Sequence, residues 1–482
     1  MTLSLLFIGG LAHGSDALRL SMPETAETLL SATHITDFPV DAEGNSYGED
    51  VLWQHRWRTG LNLGNDKIML NTELDLMAGL VGGNTWAVPG TVDARRRHTS
   101  GFFQPGTVKP RRASVKANLP GAQIEAGLVT SHWGLGMVAN DGAQDPWFGV
   151  SEFGDRVVRM RVSTRPSAES PLSLTVSYDR VVEDDSASWA DGQWAEQGVL
   201  ALMYADDSNR KLGVYGVLRD QEEIFGERNT RAYVLDVYGT TPVAQLGEKT
   251  VTASAELAGI TGRTDRATTY TSPESVRILS AGATGLLSYG AESDALALHL
   301  AGGWASGDGD PDDEVSRDFR FDRNFGVGQV LFDEYLGAID AAAHYTLSDP
   351  QYSGQAPDGL DATVTEGAFQ RASFVQPILD LRPTDWLHLR TGGALAWATG
   401  PIGQRFYTYR AGGSPHNHNN APTDGHYLGS EVDWTLSLGG NRAKIGKHRV
   451  GIPSLSVSGG HLFLGDDLAG GGIDRVDLYR AM

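Results

Sequence analysis

VVRMRVSTR, residues 157–165, sorts its apolar and its basic side chains by parity. One parity carries valine and methionine and the other carries arginine: Val158, Met160 and Val162 against Arg159, Arg161 and Arg165. A period of two is typical of a β-strand, in which successive side chains point to opposite faces. In a soluble sandwich the arginines would face the surrounding water. In a membrane barrel they would face a wet lumen, and the apolar set would face lipid.

The same alternation recurs along most of the chain, in segments separated by connections rich in Gly, Asn and Asp. Clear examples are VLWQHRWRTGLNL at 51–63, IMLNTELDLMAGL at 68–80, LSLTVSY at 172–178, TVTASAEL at 250–257 and EVDWTLSL at 431–438. Charged residues stand in the middle of the polar parity, and no fixed-period repeat supports a solenoid or a propeller. The pattern therefore predicts an all-β fold, a transmembrane antiparallel β-barrel of about 16 to 18 strands.

The composition limits the class of protein and its compartment. The 482 residues include no Cys and carry a net charge of −21, which argues against thiol chemistry and against nucleic acid as a partner. Leu3–Ala12 is an apolar stretch of secretory length without a basic start. Residues 1–17 are therefore interpreted as a truncated signal peptide, the alternative being no signal. Residues 18–49, which are polar and turn-rich, are predicted to cap or plug a barrel formed by residues 50–482.

Four loop motifs carry a resemblance to a known family: TDFPVDAEGNSYGED at 36–50, SHWGLGMVANDG at 131–142, GDGDPDDE at 307–314 and FDRNFGVGQVLFDEYLG at 321–337. With these motifs the chain resembles a family of uncharacterised outer-membrane barrels from myxobacteria and related Gram-negative bacteria, which is distantly similar to the alginate-export porins. The resemblance implies an outer-membrane location, contact with lipid and lipopolysaccharide, and insertion by the barrel-assembly machinery. Such barrels usually end in an aromatic residue, whereas this chain ends in IDRVDLYRAM. Either the terminal strand is truncated or its assembly signal is atypical.

The basic side chains of the polar parity are the candidate lumen and substrate-binding residues: Arg56, Arg58, Arg112, Lys116, Arg159, Arg161, Arg165, His388 and Arg390. Clustered cations would concentrate anionic solutes, and the resemblance to alginate exporters implies a polyanionic saccharide. Acidic side chains are predicted to face inward as well: Glu73, Asp75, Glu256, Glu431 and Asp433. Because opposed rows of unlike charge also line general porins, both an anion- or uronate-selective pathway and a general or plugged channel fit the sequence.

Two loops carry further signals. Asp308, Asp310 and Asp312 have the spacing of a calcium loop, but Asp313 stands where an EF-hand requires Gly. The sequence thus predicts no cofactor beyond a loosely bound Ca²⁺ at this acidic loop, the alternative being a solvated loop. Residues 327–344, VGQVLFDEYLGAIDAAAH, depart from the alternation and approach helical spacing. They predict a short helical element in a long loop that folds into the barrel mouth and constricts it.

The sequence contains neither a G-x-S-x-G nor an H-E-x-x-H motif, so an enzyme is not predicted. The predicted function is that of an outer-membrane porin or exporter of a Gram-negative bacterium, which passes polar, anionic or saccharide solutes through a charged lumen. The alternative is a non-conducting structural barrel that anchors an envelope or motility assembly. A porin keeps its polar rows open to water, whereas an anchor fills its lumen with loops.

Overall fold

The structure, a computed structural model, describes residues 18–23, 26–48, 51–82, 108–151, 154–167, 169–223, 228–269, 271–291, 294–348, 351, 367–439, 443–445, 448–450, 454–466, 468 and 473–482. The predicted signal segment, residues 1–17, lies outside these residues.

Within the described residues, eighteen strands form a closed antiparallel barrel. Numbered β1 to β18 in chain order, they are Glu27–Ile35, Leu52–Gly64, Ile68–Gly82, Val108–Leu119, Ala122–Thr130, Arg156–Thr164, Leu172–Glu183, Trp194–Ala205, Lys211–Glu222, Asn229–Leu246, Lys249–Thr264, Val276–Tyr289, Leu296–Ala305, Ala372–Thr384, Leu387–Ala398, Tyr427–Gly439, Ser454–Leu464 and Arg475–Ala481. Each strand pairs with its neighbour in the chain, and β18 pairs with β1 to close the sheet. The predicted all-β barrel of about 16 to 18 strands is confirmed.

The outer face of the barrel is an apolar belt. On β6, Val158, Met160 and Val162 point outward, and Met160 is 63 % exposed, whereas Arg159 and Arg161 point into the lumen. Large apolar side chains are exposed in the same way on most strands. A belt of this extent is unfavourable in water and suits the hydrocarbon layer of a bilayer. A closed barrel with an even number of strands and such a belt is typical of the outer membrane of Gram-negative bacteria, so the predicted location holds.

The two rims of the barrel differ in the length of their connections. One rim has tight turns such as 65–67 and 120–121, and in another of these turns Gly247 has a φ of 64°, a conformation that favours glycine. The other rim has long connections, among them 131–155 and 306–371. In outer-membrane barrels the short turns face the periplasm and the long connections face the outside.

The described part of residues 18–49 is divided between the wall and the lumen. This corrects the prediction that the whole segment caps or plugs the barrel. Arg19–Ser21 pairs with the end of β2, and the residues from 27 to 35 form β1 itself. In β1 the outward Leu30 alternates with the small, buried Ser31 and Thr33. The apolar contrast between the two faces is therefore weak, which is why the sequence did not indicate a strand.

The long connection between β13 and β14 folds into the barrel and supplies its apolar core. A π-helical turn, Leu331–Leu336, leads into helix α1, Gly337–Ser348, so the predicted helical element is confirmed. The buried ring of Tyr335 packs against Phe38 of a small N-terminal hairpin, with ring centroids 4.8 Å apart. Helix α2, Arg405–Arg410, lies between β15 and β16. None of the helices in the described residues is long and apolar enough to cross a membrane.

The remaining short elements are Phe38–Pro39, Ser46–Tyr47, Val315–Ser316, Ala443–Ile445, His448–Val450 and the 3₁₀ turn Trp189–Asp191.

Candidate functional site

The arginines of the opening stretch face carboxylates on the adjacent strands. Arg159 on β6 stands directly opposite Asp179 on β7 and donates two hydrogen bonds to it, of 2.7 and 2.6 Å. Arg161 stands opposite Glu125 on β5 and pairs with it. Directly opposite residues of an antiparallel pair share one face of the sheet, so strand register alone brings these charges together. Most of the charge of this arginine row is therefore neutralised inside the wall.

The predicted cations on the other strands are paired in the same way. Arg58 donates to Asp75 at 2.7 Å, and Arg56 lies 2.6 Å from Glu27. Arg112 lies 3.3 Å from Asp141 and donates to Thr130 Oγ1 at 2.7 Å. His388 and Arg390 share the carboxylate of Asp380, at 2.5 and 2.7 Å, and Arg390 also donates to the carbonyl of Trp147 at 3.1 Å. The substrate-binding role of these residues stays a prediction.

Two of the predicted lumen cations differ from the others. Lys116 stands opposite Glu125 in the register of β4 and β5 and makes no ion pair within the described residues. Arg165 does not line the lumen, which corrects the prediction. Strand β6 ends at Thr164, so Arg165 lies in the following turn, where it is exposed and the parity of the strand no longer applies.

A buried arginine that the parity rule missed lies at an irregularity of β4. The pairing of β3 with β4 shifts after Glu73, and Arg111 is the extra residue on β4. Such a bulge turns two successive side chains toward the same face. Arg111 therefore joins Arg112 in the lumen, where it donates to Glu73 at 2.7 Å and to the carbonyl of Asp141 at 2.6 Å.

The predicted calcium loop uses its carboxylates for other bonds. Asp308 accepts the backbone N–H groups of Asp310 and Arg317, at 3.1 and 2.9 Å, and Asp313 pairs with Arg317 at 2.8 Å. In the part of the chain that the structure describes, no group of three or more acidic or histidine side chains could hold a metal ion. The Ca²⁺ prediction for Asp308, Asp310 and Asp312 is unsupported, because local turn geometry already explains these aspartates.

Inward-facing carboxylates of the wall hold two long connections inside the barrel. The first connection, 131–155, reaches β10 and β11. The indole Nε1 of Trp133 donates to Asp236 at 2.8 Å, and the backbone N–H of Leu135 donates to Glu256. The Trp133 ring lies against the backbone of Gly213, where any Cβ would come within 2.6 Å of it.

The second connection, 306–371, is held by β16. The carboxylate of Glu431 accepts the backbone N–H groups of three successive residues, Gln329, Val330 and Leu331, at 2.5, 2.7 and 2.9 Å. These N–H groups belong to the start of the helical element, where the helix has no acceptors of its own and the end of its dipole is positive. Glu431 is 1 % exposed, so its charge is stabilised by the inserted segment and not by water.

The two inserted connections meet in the lumen. The backbone N–H of Asp322 donates to the carbonyl of Met137 at 2.8 Å, and the Asp322 carboxylate accepts the N–H of Asn140 at 3.0 Å. Residues around this contact line either an outer cavity of about 380 Å³ or an inner cavity of about 260 Å³. This contact, together with the packed rings of Phe321 and Phe325, lies between a space near the long-connection rim and a space deeper in the barrel.

Charged groups of both signs line the outer cavity. Burial raises the pKa of Asp322 well above its usual range, and the neighbouring Asp185 adds to the rise. Burial would also raise the pKa of Asp184, but Arg219 at 2.5 Å lowers it to about 2. Arg405 of α2 also lines this cavity and makes no ion pair within the described residues.

The inner cavity is lined by few charges. Amide, imidazole and hydroxyl side chains share it with apolar rings; the lining is His132, Gly134, Leu135, Asn140, Gln144, Asp145, Pro146, Trp147, Thr284, Gly285, Leu286, Ala301, Asn324, Phe325, Gly326, Phe374, Gln376 and Arg390. Sequence reasoning identified Arg390 but not Gln376, because an uncharged residue on the polar parity gives no signal of its own.

Solved structures share the barrel at low sequence identity. The crystal structure of Pseudomonas aeruginosa OccK8 (OprE) is 10 % identical, with 96 % of each chain covered and a TM-score of 0.50. Crystal structures of Acinetobacter baumannii OccAB1 and of Pseudomonas aeruginosa OccK2 (OpdF) in complex with glucuronate both cover 96 % of this chain. The alignments extend over 95 % of the OccAB1 chain and 96 % of the OccK2 chain, with 11 % identity each and TM-scores of 0.49 and 0.45, respectively.

No protein-family model matches the chain, and none of the curated proteins matches it in sequence. The resemblance to the alginate-export porins stays a prediction, as do the lipopolysaccharide and assembly-machinery contacts. The similarity to OccK8 shows a common fold, the closed β-barrel.

Proposed function

We propose that this barrel is an outer-membrane porin through which small polar solutes diffuse. The observation that carries the proposal is the pair of cavities inside a closed barrel, about 380 and 260 Å³ in volume, separated by a contact between the inserted connections that includes the Asp322–Asn140 bond and the Phe321–Phe325 ring pair. A rearrangement of that contact joins the cavities, whereas the wall around them stays fixed by its strand pairing. Passive passage through such a lumen depends on size, polarity and charge.

The pairing of the wall arginines favours weak ion selectivity. A row of free guanidinium groups would concentrate anions, but each bidentate carboxylate partner cancels most of that field. The saccharide part of the sequence prediction therefore has more support than the anionic part. Two features support anions: among the described residues, neither Arg405 at the outer cavity nor Lys116 on β4 makes an ion pair.

Single-channel recording in planar bilayers tests the proposal. We expect steady conductance in KCl and a small reversal potential across a KCl gradient. In Arg405→Gln the chloride preference should fall, and a block by added oligouronate should weaken. Arg231→Gln is the matched control, because Arg231 is exposed on the barrel rim and pairs with the exposed Asp220. A strong anion preference that survives in Arg405→Gln would contradict the reasoning from paired wall charges.

A non-conducting structural barrel is the second candidate. The specific observation in its favour is the apolar core inside the lumen, in which Phe321, Phe332 and Tyr335 are buried together. Folded protein, identified by its compact form on unheated gels, that gives no conductance in any bilayer would refute the porin proposal and favour this candidate.

A further inference from the structure

The inner cavity contains a buried donor without an acceptor. Gln376 on β14 is 1 % exposed and lines the cavity, and among the described residues its Nε2 has no hydrogen-bond partner. Protein interiors rarely leave an amide N–H₂ group unpaired, because a buried donor without an acceptor destabilises the fold. Such a group is explained when a ligand supplies the acceptor during function.

The charges around the cavity argue against an ion as that ligand. The Arg390 guanidinium is neutralised by Asp380, at 2.7 and 3.0 Å, and its Nη1 donates to the carbonyl of Trp147. The carboxylate of Asp145 accepts the backbone N–H of Ser151 at 2.9 Å. A solute carboxylate would therefore compete with a pair that already exists at Arg390, and a solute ammonium group, which has no acceptor, cannot pair with the Gln376 Nε2.

The uncharged lining suits a solute rich in hydroxyl groups. Asn140, Asn324 and Gln376 carry amides, which offer both donors and acceptors, and a hydroxyl group also both donates and accepts. The half-buried rings of Trp147 and Phe325 supply apolar surface beside these amides. A few polar groups among apolar side chains are the usual composition of a small-molecule site.

We infer that the inner cavity is a binding subsite for a neutral monosaccharide, with the Gln376 amide as a specificity-determining donor to a sugar hydroxyl. The inference rests on the proposed porin function, since the subsite would lie on the diffusion pathway. The volume of about 260 Å³ lies just below the range of roughly 300–1,000 Å³ for drug-sized ligands, which limits the occupant to a single small ring.

Current-noise analysis with added glucose tests the subsite. We expect glucose to interrupt the open-channel current of the wild type. In Gln376→Met, which keeps the length of the side chain and removes its amide, binding should be about fivefold weaker. Gln197→Met is the matched control, because Gln197 faces the lumen outside this cavity and donates to Asp179 at 3.3 Å. Heat-modifiable mobility on gels establishes that each variant is folded.

A second readout separates the subsite from conduction. Glucose is titrated against the tryptophan fluorescence of the detergent-solubilised protein, with Trp147→Phe identifying the signal from the cavity. If the protein conducts but glucose neither interrupts the current nor quenches the tryptophan fluorescence, the subsite is overturned and the porin proposal stands. Quenching that Gln376→Met weakens, in protein that does not conduct, supports the subsite and refutes the porin. Interruption by glucuronate but not by glucose overturns the assignment of a neutral sugar.

Discussion

Replacing Glu431 by Ala should release the helical segment from the lumen. The carboxylate accepts three backbone N–H groups at the start of this segment, at 2.5 to 2.9 Å, and is almost fully buried. Alanine leaves these donors in a space that water reaches poorly. The barrel strands make their own backbone hydrogen bonds, so the change acts on the docking of the segment and not on the wall.

The free energy of docking that is lost in Glu431→Ala follows from the hydrogen bonds that Glu431 accepts. A hydrogen bond to a charged acceptor contributes about 1.5–3 kcal/mol, and bonds that share one acceptor are not additive. The neighbouring Asp433 carboxyl group is relieved of the like group beside it, and this offsets part of the loss. We estimate a net destabilisation of docking of about 3 kcal/mol, which lowers the ratio of docked to undocked segment by roughly a factor of 10².

Bilayer recording and limited proteolysis measure the release. Glu431→Ala should show larger and noisier open-channel currents than the wild type, and protease should cut within 319–348 at a lower concentration. Glu431→Gln, which keeps one carbonyl oxygen as an acceptor, should be intermediate, and Glu222→Ala, at an exposed position on β9, should resemble the wild type. A folded Glu431→Ala barrel with wild-type currents and wild-type cleavage would refute the reasoning.

Three further changes act on the inserted connections. In Glu256→Gln an amide replaces the carboxyl group that accepts the N–H of Leu135 in the connection 131–155, so open-channel noise should rise, less than in the alanine variant above. The pKa of Asp322 is raised by burial, so its contribution to the contact between the connections is present at low pH and is lost as the pH rises through that pKa. Conductance should therefore increase with pH, and Asp322→Asn should remove this dependence. Burial lowers the pKa of His418 from 6.5 to about 4. The neutral imidazole therefore contributes up to about 3 kcal/mol to the stability of the folded state above pH 6.5, and this contribution is lost as the pH falls toward 4. His418→Gln should reduce the acid-induced fall in the temperature at which the compact form converts on gels.

Matched variants keep these tests specific. Asp207→Asn removes a carboxyl from an exposed turn, and His416→Gln removes a histidine from the same loop as His418. Neither should alter the pH response. Noise in Glu256→Gln equal to that of the wild type would mean that packing alone holds the connection. If conductance rises with pH equally in the wild type and in Asp322→Asn, a group other than Asp322 causes the rise. If the wild type and His418→Gln are equally sensitive to acid, a group other than His418 causes the loss of thermal stability.

The wall of the barrel could be predicted from the sequence because alternation is a local property. The parity of VVRMRVSTR is enough to place Met160 toward lipid and Arg159 toward the lumen. The rule fails where the backbone departs from a regular strand. At the bulge of β4, Arg111 turns inward with Arg112, and after the end of β6 Arg165 leaves the wall. Both irregularities lie beside a proline, Pro110 at the bulge and Pro166 after Arg165, a signal that side-chain parity alone does not include.

The inserted connections were predicted only in part, for a different physical reason. Helical spacing indicated the segment around Leu331, because that periodicity is also local. The carboxylates that hold it, on β16, are about a hundred residues away in sequence. Parity gives the face of Glu431 but not its partner, since the partner is a run of backbone N–H groups that every non-proline residue carries.

The pairing pattern changes how selectivity is inferred for a barrel of this kind. A count of inward arginines allows an anion pathway as one of two alternatives, yet the same strand register that turns Arg159 inward also brings Asp179 opposite to it. Charges that satisfy one another in the wall have little left for a solute, and the acids that remain hold the inserted connections. Discrimination among solutes then falls to groups whose partners are missing. In the described part of this chain those groups include Arg405 at the outer cavity and Gln376 at the inner one. Arg405 would act on charge at entry, and Gln376 would act on hydroxyl groups further in.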